Sequence, residues 1–502
     1  MSKLKIGWAE TNITPDKPMA LAGQFAERIS QYVEKPLTAT AMAIEADGEQ
    51  AVLCEADLVN VSYPLFVRIK EAIGDRAPGL DPDKIIISAI HTHTGPISAE
   101  NGKNKTSKFS SSSFRGLLES YLPEGMEYVE KENISNNTNI ASREEVSKVL
   151  TEKISEAIVT AWNNRKDGSF INAFGRAAVG MCRRAAYSDG SAQMWGNTDT
   201  AVFKEIEGGN DSGIELLYVF DETKKLKGIV ANLACPAQCV QHRLFVSPDF
   251  WGEAKMLLRN HFGEDIFLLP LCSAAGDQCP VDLVRWVEPE SPVNDPNIER
   301  EGVKKRKADP SMFDIAGMKK VGKRIANEII EVYNEGLDDA IDTAEFKHKV
   351  LHMQLPLRRA TLEQKAKAER EIELYLSKKD KYVDYNDAAK LQVHLGILKR
   401  MNLQDIVDVV DTEVHIIKLG NIAIATNPFE LFLDYGNQIK ARSAAEQTFL
   451  IQLACGSEGY LPTEKAENGG HYSAFVSSGQ IGHQGGDQLV RETLSSINSM
   501  FE

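Results

Sequence analysis

The stretch Ile85-Ile86-Ile87-Ser88-Ala89-Ile90-His91-Thr92-His93-Thr94-Gly95-Pro96 joins an apolar run to two histidines and a Gly-Pro turn. A continuous β-branched run is typical of a strand that is buried on both faces. Because side chains alternate along a strand, His91 and His93 are expected on one side of its end, about 6–7 Å apart. Two imidazoles directed into one site favour metal binding; the structural alternative makes one a core residue and the other a turn residue.

Segments on both sides of this stretch alternate between extended and helical patterns, which predicts an α/β fold. The extended apolar runs are Ala41–Ala46, Gln50–Cys54, Lys84–Ile90, Gly213–Phe220, Gly228–Ala234 and Asp265–Leu271. Helical spacing or capping signals mark Tyr63–Gly74, Ser142–Asn163, Met312–Glu335, Glu363–Leu376 and about Asp384–Met401. A hairpin is predicted from Glu413–Lys418 and Asn421–Ala425, and the chain after it reaches a carboxylate at Glu430.

Three segments interrupt this pattern and are expected to be insertions in one large domain that spans residues 1–502. Residues 100–141 are polar and are predicted to form a loop or lid. A second loop is predicted at 284–310, and 361–403 is predicted to form a pair of helices whose charges face solvent. Because loops that leave a site are often functional, substrate specificity is expected to lie in the two loops.

The composition argues against nucleic acids and anionic membrane surfaces as partners. The 502 residues include 57 basic and 72 acidic side chains, a formal charge of −15, and 42% hydrophobic residues. This acidic balance, without a long basic block, disfavours nucleic acid and anionic membrane surfaces. No apolar run has the length of a membrane span and the N-terminus lacks a signal-peptide core, so we expect a cytoplasmic protein without stable membrane insertion. Seven scattered cysteines favour reduced thiols over a disulfide framework.

Six short motifs, in this order, resemble the catalytic domain of neutral (alkaline, non-lysosomal) ceramidases over nearly the whole chain. They are Thr11-Asn-Ile-Thr-Pro15, Ser88-Ala-Ile-His-Thr-His-Thr-Gly-Pro96, Ser247-Pro-Asp249, Ala275-Gly-Asp277, Pro428-Phe-Glu430 and Gly459-Tyr-Leu-Pro-Thr463. The resemblance implies mixed sheets flanked by helices and a zinc hydrolase that cleaves an N-acyl amide. In that family two histidines, a glutamate and a tyrosine bind the metal. The additional C-terminal β-domain of full-length ceramidases is expected to be absent.

Carried over residue by residue, the resemblance implies that His91, Glu430 and Tyr460 are zinc ligands. His93 is similar to a neighbouring catalytic histidine that contacts substrate or relays a proton. Tyr472 is similar to a tyrosine that contacts the reacting carbonyl. Asp249 and Asp277 are then expected to orient imidazoles or to close turns.

Two positions depart from the family pattern, and alternatives stay open at both. The second histidine ligand is expected at the end of the strand before Ser247-Pro-Asp249, where a gapless comparison places Cys235, and His242 is the nearby imidazole that we favour. Cys279 stands where ceramidases have a serine. It is a candidate nucleophile if its pKa is lowered, and otherwise an inert buried thiol.

The sequence therefore predicts a Zn²⁺-dependent hydrolase that acts on an amide, rather than an ester or glycosidic bond, of a soluble small-molecule substrate. Two other classes stay open: a non-catalytic ligand-binding protein on the same scaffold, and a thiol-dependent hydrolase that uses Cys279. A homo-oligomer is compatible with the sequence.

Overall fold

Three mixed β-sheets, flanked by helices, form the centre of the molecule. The computed structural model describes residues 3–24, 28–98, 112–129, 139–285, 313–337 and 339–502. The helices are α1 (Tyr63–Ile73), α2 (Ser112–Glu119), α3 (Arg143–Asn163), α4 (Phe250–Phe262), α5 (Asp314–Asn334), α6 (Leu362–Leu376), α7 (Tyr385–Lys390), α8 (Gln392–Leu403), α9 (Leu433–Arg442), α10 (Glu464–Gly469) and α11 (His483–Phe501).

The strands follow the same chain order. They are β1 (Lys5–Asn12), β2 (Tyr32–Val33), β3 (Thr38–Ala46), β4 (Glu49–Ala56), β5 (Ile85–Ala89), β6 (Glu127–Tyr128), β7 (Lys166–Asp167), β8 (Ser169–Arg176), β9 (Met181–Cys182), β10 (Arg184–Tyr187), β11 (Ala192–Met194), β12 (Phe203–Ile206), β13 (Gly213–Phe220), β14 (Leu226–Leu233), β15 (Phe245–Val246), β16 (Phe267–Cys272), β17 (Gln278–Cys279), β18 (Phe346–Pro356), β19 (Tyr382–Val383), β20 (Val409–Leu419), β21 (Ile422–Thr426), β22 (Glu430–Leu431), β23 (Gln447–Ile451) and β24 (Tyr460–Leu461).

One arrangement recurs in all three large sheets. Their strand orders are β5-β4-β3-β1-β7, β16-β14-β13-β8 and β18-β20-β21-β23. In each sheet, antiparallel neighbours are followed by a helical crossover to a parallel strand: β4-α1-β5, β14-α4-β16 and β21-α9-β23. The carboxyl ends of parallel strands are where α/β sheets place their ligands, so the loops after these strands are the first place to look for a site.

Hydrogen bonds tie the ends of these strands together. Asn232, at the end of β14, donates its side-chain amide to the carbonyls of Leu271 and Leu450, at 3.2 and 2.9 Å. Gln452 N–H donates to the Cys272 carbonyl at 3.0 Å, and Cys455 N–H donates to the Ile87 carbonyl at 2.8 Å. The three sheets therefore meet where their parallel strands end, and the loops there are held by backbone hydrogen bonds.

Most of the predicted elements are confirmed. The Ser142 capping box begins α3, the Thr361 capping box begins α6, and β20 and β21 form the predicted hairpin. The mixed sheets flanked by helices agree with the fold class that the sequence implies. Every residue of β5 is buried, as its apolar run predicts.

Three local predictions are wrong. The strand β5 ends at Ala89, so His91 and His93 do not lie on it. The segment 100–141 contains α2 and β6, although 100–111 and 130–138 lie outside the described residues, as do 286–310 of the second predicted loop. The second helix of the predicted pair is divided into α7 and α8 at Leu391.

Residues 112–129 and the 361–403 segment pack together. Leu118 of α2 shares a small core with Ile372, Leu376, Leu395 and their neighbours, and β6 pairs with β19. The local periodicity of each segment does not reveal this contact, because it depends on tertiary packing. Across the described residues, no helix combines the length and apolar character needed to span a membrane.

Candidate active site

His91 lies just beyond β5 in a left-handed backbone conformation, with φ of 65°. This conformation, rather than strand alternation, turns its ring toward His93, and the two Nε2 atoms lie 3.2 Å apart. His91 Nδ1 lies 2.8 Å from the Val59 carbonyl, which only accepts hydrogen bonds. The Nδ1 atom therefore carries the proton, and His91 Nε2 presents a lone pair when the ring is neutral.

Gln238 holds His93 so that its Nε2 atom is engaged in a hydrogen bond. Arg183 donates to Gln238 Oε1 at 2.9 Å, which fixes the amide so that Gln238 Nε2 donates to His93 Nε2 at 2.9 Å. His93 Nδ1 is buried and has no hydrogen-bond partner within the described part of the chain. Gly23 packs against the ring, since a Cβ atom there would lie 2.3 Å from His93 Cγ.

Both imidazoles are neutral near pH 7 because burial disfavours their charged forms. Burial lowers the pKa of His91, although the Glu430 carboxylate opposes the change. Burial and the neighbouring His91, Arg28 and Arg183 lower the pKa of His93 well below its usual value. The His91 Nε2 lone pair therefore faces His93 Nε2 across 3.2 Å, and His93 Nε2 already accepts from Gln238.

Glu430 and Tyr460 reach the same place on a separate pair of strands. They are directly opposite each other in the parallel register of β22 and β24. The Glu430 Oε2 atom lies 3.5 Å from His91 Nε2. Gly276 allows the close approach of the neighbouring loop, because a Cβ atom there would lie 2.3 Å from the Glu430 carbonyl oxygen.

Arg183 is a site residue that the sequence reasoning missed. Its guanidinium is buried and donates to Tyr460 Oη at 3.3 Å and to the Gly276 carbonyl at 3.0 Å. Nearby phenols and the Glu430 carboxylate raise its pKa, so it keeps its positive charge. The sequence carried one signal for it, the two adjacent arginines in Gly180-Met-Cys-Arg-Arg184, because buried arginines usually have a partner or a function.

Tyr472 contacts Tyr460, with ring centroids 5.4 Å apart and nearly perpendicular planes. Its neighbours His471 and Ser473 both have positive φ, at 71° and 72°, so the turn that presents the phenol is strained. Burial raises the pKa of Tyr472 to about 12, and burial raises the pKa of Tyr460 well above its usual value. Both phenols are therefore protonated near neutral pH unless a cation binds the oxygen.

Neither open candidate for the second histidine position joins this group. The His242 ring stacks on Phe313, and its Nε2 lies 3.5 Å from Asp314 Oδ1. Among the described residues, His91, His242 and Glu430 do not form a group whose donor atoms all lie within 4.8 Å of one another. In the loop that carries His242, Val240 N–H donates to Asp249 at 2.9 Å.

The four cysteine and aspartate positions singled out in the sequence are all buried. The Cys235 thiol donates to the Val179 carbonyl at 3.4 Å. The Cys279 thiol donates to the Val281 carbonyl at 3.3 Å, and burial raises its pKa to about 12, which does not favour a thiolate nucleophile. Asp249 caps α4, and Asp277 Oδ1 accepts from Leu433 N–H at 2.9 Å, so both close turns.

His91, Glu430 and Tyr460 offer donor types that a divalent cation such as Zn²⁺ accepts. Two ligands of one tetrahedral zinc ion lie roughly 3.3–3.5 Å apart, given bonds of about 2.0–2.2 Å. The separation of 3.5 Å between His91 Nε2 and Glu430 Oε2 lies in this range, whereas His91, His93 and Glu430 together do not bring their donor atoms within 4.8 Å of one another among the described residues. The His91 lone pair and the Glu430 carboxylate are repulsive without a proton or cation between them, and Tyr460 adds a further oxygen donor.

Comparison with solved structures returns ceramidases. A neutral ceramidase from Pseudomonas aeruginosa superposes with a TM-score of 0.65 at 13% identity, over 99% of this chain and 74% of that chain. A structure described as ceramidase complexed with C2 gives a TM-score of 0.66 at 11% identity, over 99% of this chain and 75% of that chain. The protein therefore has a neutral-ceramidase-like fold, as its motifs indicate. Neither family models nor curated proteins gave a match.

Proposed function

We propose that this protein is a Zn²⁺-dependent hydrolase that cleaves an amide bond in a water-soluble substrate. One observation carries the proposal: His91, Glu430 and Tyr460 converge beside a buried arginine at the carboxyl ends of parallel strands in a ceramidase-like fold. Catalytic zinc sites keep three protein ligands and one open position. These three residues supply that number without His242 or Cys235.

Each residue has a defined task in this proposal. When bound, Zn²⁺ acts as a Lewis acid and lowers the pKa of water toward ~7. His91 offers Nε2 because the Val59 carbonyl holds its other nitrogen. Gln238 donates to His93 Nε2 at 2.9 Å, so His93 receives the proton of the attacking water once Gln238 releases that atom, and it then passes the proton to the leaving amine.

The positive charge of Arg183 and the Tyr472 phenol stabilise the negative oxygen of the tetrahedral intermediate. Arg183 is buried and cannot be neutralised near pH 7, and Tyr472 keeps its proton because its pKa is raised. Both act in a site with little water, where such interactions are stronger than in solvent. A soluble substrate is favoured over a membrane lipid because the chain carries a formal charge of −15.

The test is an activity screen on the zinc-loaded protein with soluble N-acyl compounds, esters and aryl glycosides, each repeated after chelation. We expect turnover of an N-acyl compound that chelation removes and zinc restores. His91→Ala and Glu430→Ala should each lose zinc and activity together. His242→Ala is the matched control, since it removes a buried imidazole outside the group and should retain both. A zinc content in the His91 variant equal to that of the wild-type protein would move the metal elsewhere.

A second candidate function is ligand binding without catalysis. The observation that favours it is Gln238, an amide rather than an imidazole, in contact with His93. A site with one histidine ligand binds metal more weakly than a site with two. Dialysis against buffer without chelator separates the two functions: about one zinc per chain at this site supports the hydrolase, and its loss together with inactivity supports the binding protein.

A further inference from the structure

A second cluster of metal-ligand side chains lies on the opposite side of the loop that delivers Tyr460. It consists of Glu413 and His415 on β20 and Cys455 beyond β23, and its donor atoms all lie within 4.8 Å of one another. His415 and Cys455 are buried, and Glu413 is about one fifth exposed, with 22% of its side-chain surface accessible. None of these residues takes part in the hydrolase site proposed above.

Two donors converge on a single nitrogen of His415. Glu413 Oε1 lies 3.1 Å and Cys455 Sγ lies 3.6 Å from His415 Nε2. In a Cys-His-carboxylate catalytic triad, the carboxylate and the thiol contact different ring nitrogens. The convergence on Nε2 therefore argues against a triad and is the arrangement expected around a shared ion.

A hydrogen-bond chain fixes the tautomer of His415. His348 Nδ1 lies 2.8 Å from the Gln50 carbonyl, which only accepts, so His348 Nδ1 carries a proton. With its proton on Nδ1, the neutral tautomer of His348 presents Nε2 as an acceptor. His415 Nδ1 lies 2.9 Å from that atom and donates to it. With its Nδ1 proton directed at His348, His415 turns its Nε2 atom to Glu413 and Cys455.

The His415 Nε2 atom and the Glu413 oxygen, 3.1 Å apart, need a proton or a cation between them. The imidazole that binds a metal commonly donates its other N–H to a neighbouring group, and the His348 contact provides that second interaction. A cavity of about 40 Å³ adjoins the cluster and is lined by Glu413, Cys455, His352 and Glu458, although His415 does not line it. His352, directly opposite Glu413 in the β18–β20 register, can supply a fourth ligand.

We propose that Glu413, His415 and Cys455 form a second metal site, which takes a borderline-soft divalent cation of the Zn²⁺ class. Thiolate, imidazole and carboxylate together are a donor set that zinc accepts in tetrahedral geometry. On binding, the Cys455 S–H proton is released to solvent and a sulfur–metal bond forms, so that one cation enters and one proton leaves.

The proposed second metal site connects segments of the chain that carry the candidate active site. Cys455 N–H donates to the Ile87 carbonyl of β5, Glu458 N–H to the Pro428 carbonyl, and Glu430 N–H to the Gly459 carbonyl, at 2.8–2.9 Å. An ion on Cys455 therefore holds the loop that places Tyr460 and Glu430. This positioning effect rests on the proposed hydrolase function, whereas the metal site itself does not.

Cobalt is the probe that separates the two sites, since thiolate–Co²⁺ coordination gives a strong near-ultraviolet charge-transfer band. The full-length protein is stripped with chelator and titrated with Co²⁺. We expect the band at one equivalent per chain, its loss in Cys455→Ser, and its retention in Cys54→Ser, a control at another buried thiol. His91→Ala should also retain the band, because the hydrolase site has no sulfur ligand. Failure of the hydrolase proposal therefore leaves this result unchanged.

Two further variants keep the proposal falsifiable if Cys455→Ser does not fold. Glu413→Gln preserves shape and should lower Co²⁺ affinity at least about tenfold, and His348→Ala should lower it by roughly 10–100-fold by releasing the His415 tautomer. Far-ultraviolet circular dichroism confirms the fold of each. A wild-type protein without the band, or unchanged affinity in Glu413→Gln, would mean that the residues form only a hydrogen-bonded cluster and would overturn the proposal.

Discussion

The positive φ of His91 is a small backbone feature with a large chemical consequence. A non-glycine residue in the left-handed region costs on the order of 1 kcal/mol, and such residues cluster at functional sites. Here that conformation brings the His91 Nε2 atom within 3.5 Å of both His93 and Glu430. Individual side chains around it can be tested one at a time.

Tyr472→Phe should keep its zinc and lose kcat by roughly 10²-fold, with KM changing less, because the phenol acts mainly in the transition state. Tyr460→Phe should instead weaken metal binding, since it removes an oxygen ligand. The measurements are steady-state kinetics and metal content on the same preparations. Near-wild-type turnover in Tyr472→Phe, with chemistry rate-limiting, would make Tyr472 a structural residue.

Asp249 should make the protein less stable as the pH rises. Burial raises its pKa from 3.8 to about 6 in the folded state. Between these values the Asp249 carboxyl is deprotonated in the unfolded chain but still protonated in the folded protein. The stability that Asp249 contributes is therefore present below about pH 4 and is lost as the pH rises through 6. The difference in free energy of unfolding between wild type and Asp249→Asn should therefore fall by roughly 3 kcal/mol across this range. Urea unfolding at fixed pH values measures it, and parallel profiles would contradict the assignment.

Among the structural elements, β10 supports the segment that carries Tyr472. The Arg184 guanidinium is fully buried, pairs with Glu207, and donates to the carbonyls of Gly470 and Tyr472 at 2.8 and 3.1 Å. The side chain thus fixes both the end of α10 and the strained turn beyond it. A lysine has no planar fork with which to make these contacts at once.

Arg184→Lys should therefore destabilise the protein by about 1–3 kcal/mol, because lysine keeps the charge but leaves buried carbonyls without their donors. Activity should fall with it because Tyr472 is displaced. Arg285→Lys provides the control, since its ion pair with Asp282 is largely exposed and should change stability by less than ~1 kcal/mol. Equal melting temperatures for both variants would show that the β10 contact does not hold the turn.

Across the whole molecule, the small core shared by α2, α6 and α8 is separate from the cores of the three sheets. Small cores open at lower free energy than large ones. Hydrogen exchange measured by mass spectrometry should therefore show faster exchange in 112–129 and 362–403 than in β5, β14, β16 and β23. Uniform protection across these segments would show one cooperative unit instead.

Local sequence patterns were sufficient to predict most of the helices and strands. Capping boxes at Ser142 and Thr361 and the β-branched run of β5 act over a few residues, so their outcome does not depend on distant partners. The motifs also indicated the neutral-ceramidase-like fold that the structural comparison bears out. They identified His91, His93, Glu430, Tyr460 and Tyr472, which the structure brings into one neighbourhood.

Only the tertiary structure decided which neighbours complete that group. Arg183 and Gln238 come from segments with no recognisable motif, and their contacts with Tyr460 and His93 span 277 and 145 residues of chain. His242 looked suitable in sequence, yet its ring lies against Phe313 and Asp314. The Glu413–His415–Cys455 cluster was likewise not predicted from the sequence. Residue spacing encodes local geometry, whereas long-range contacts follow from how the sheets pack.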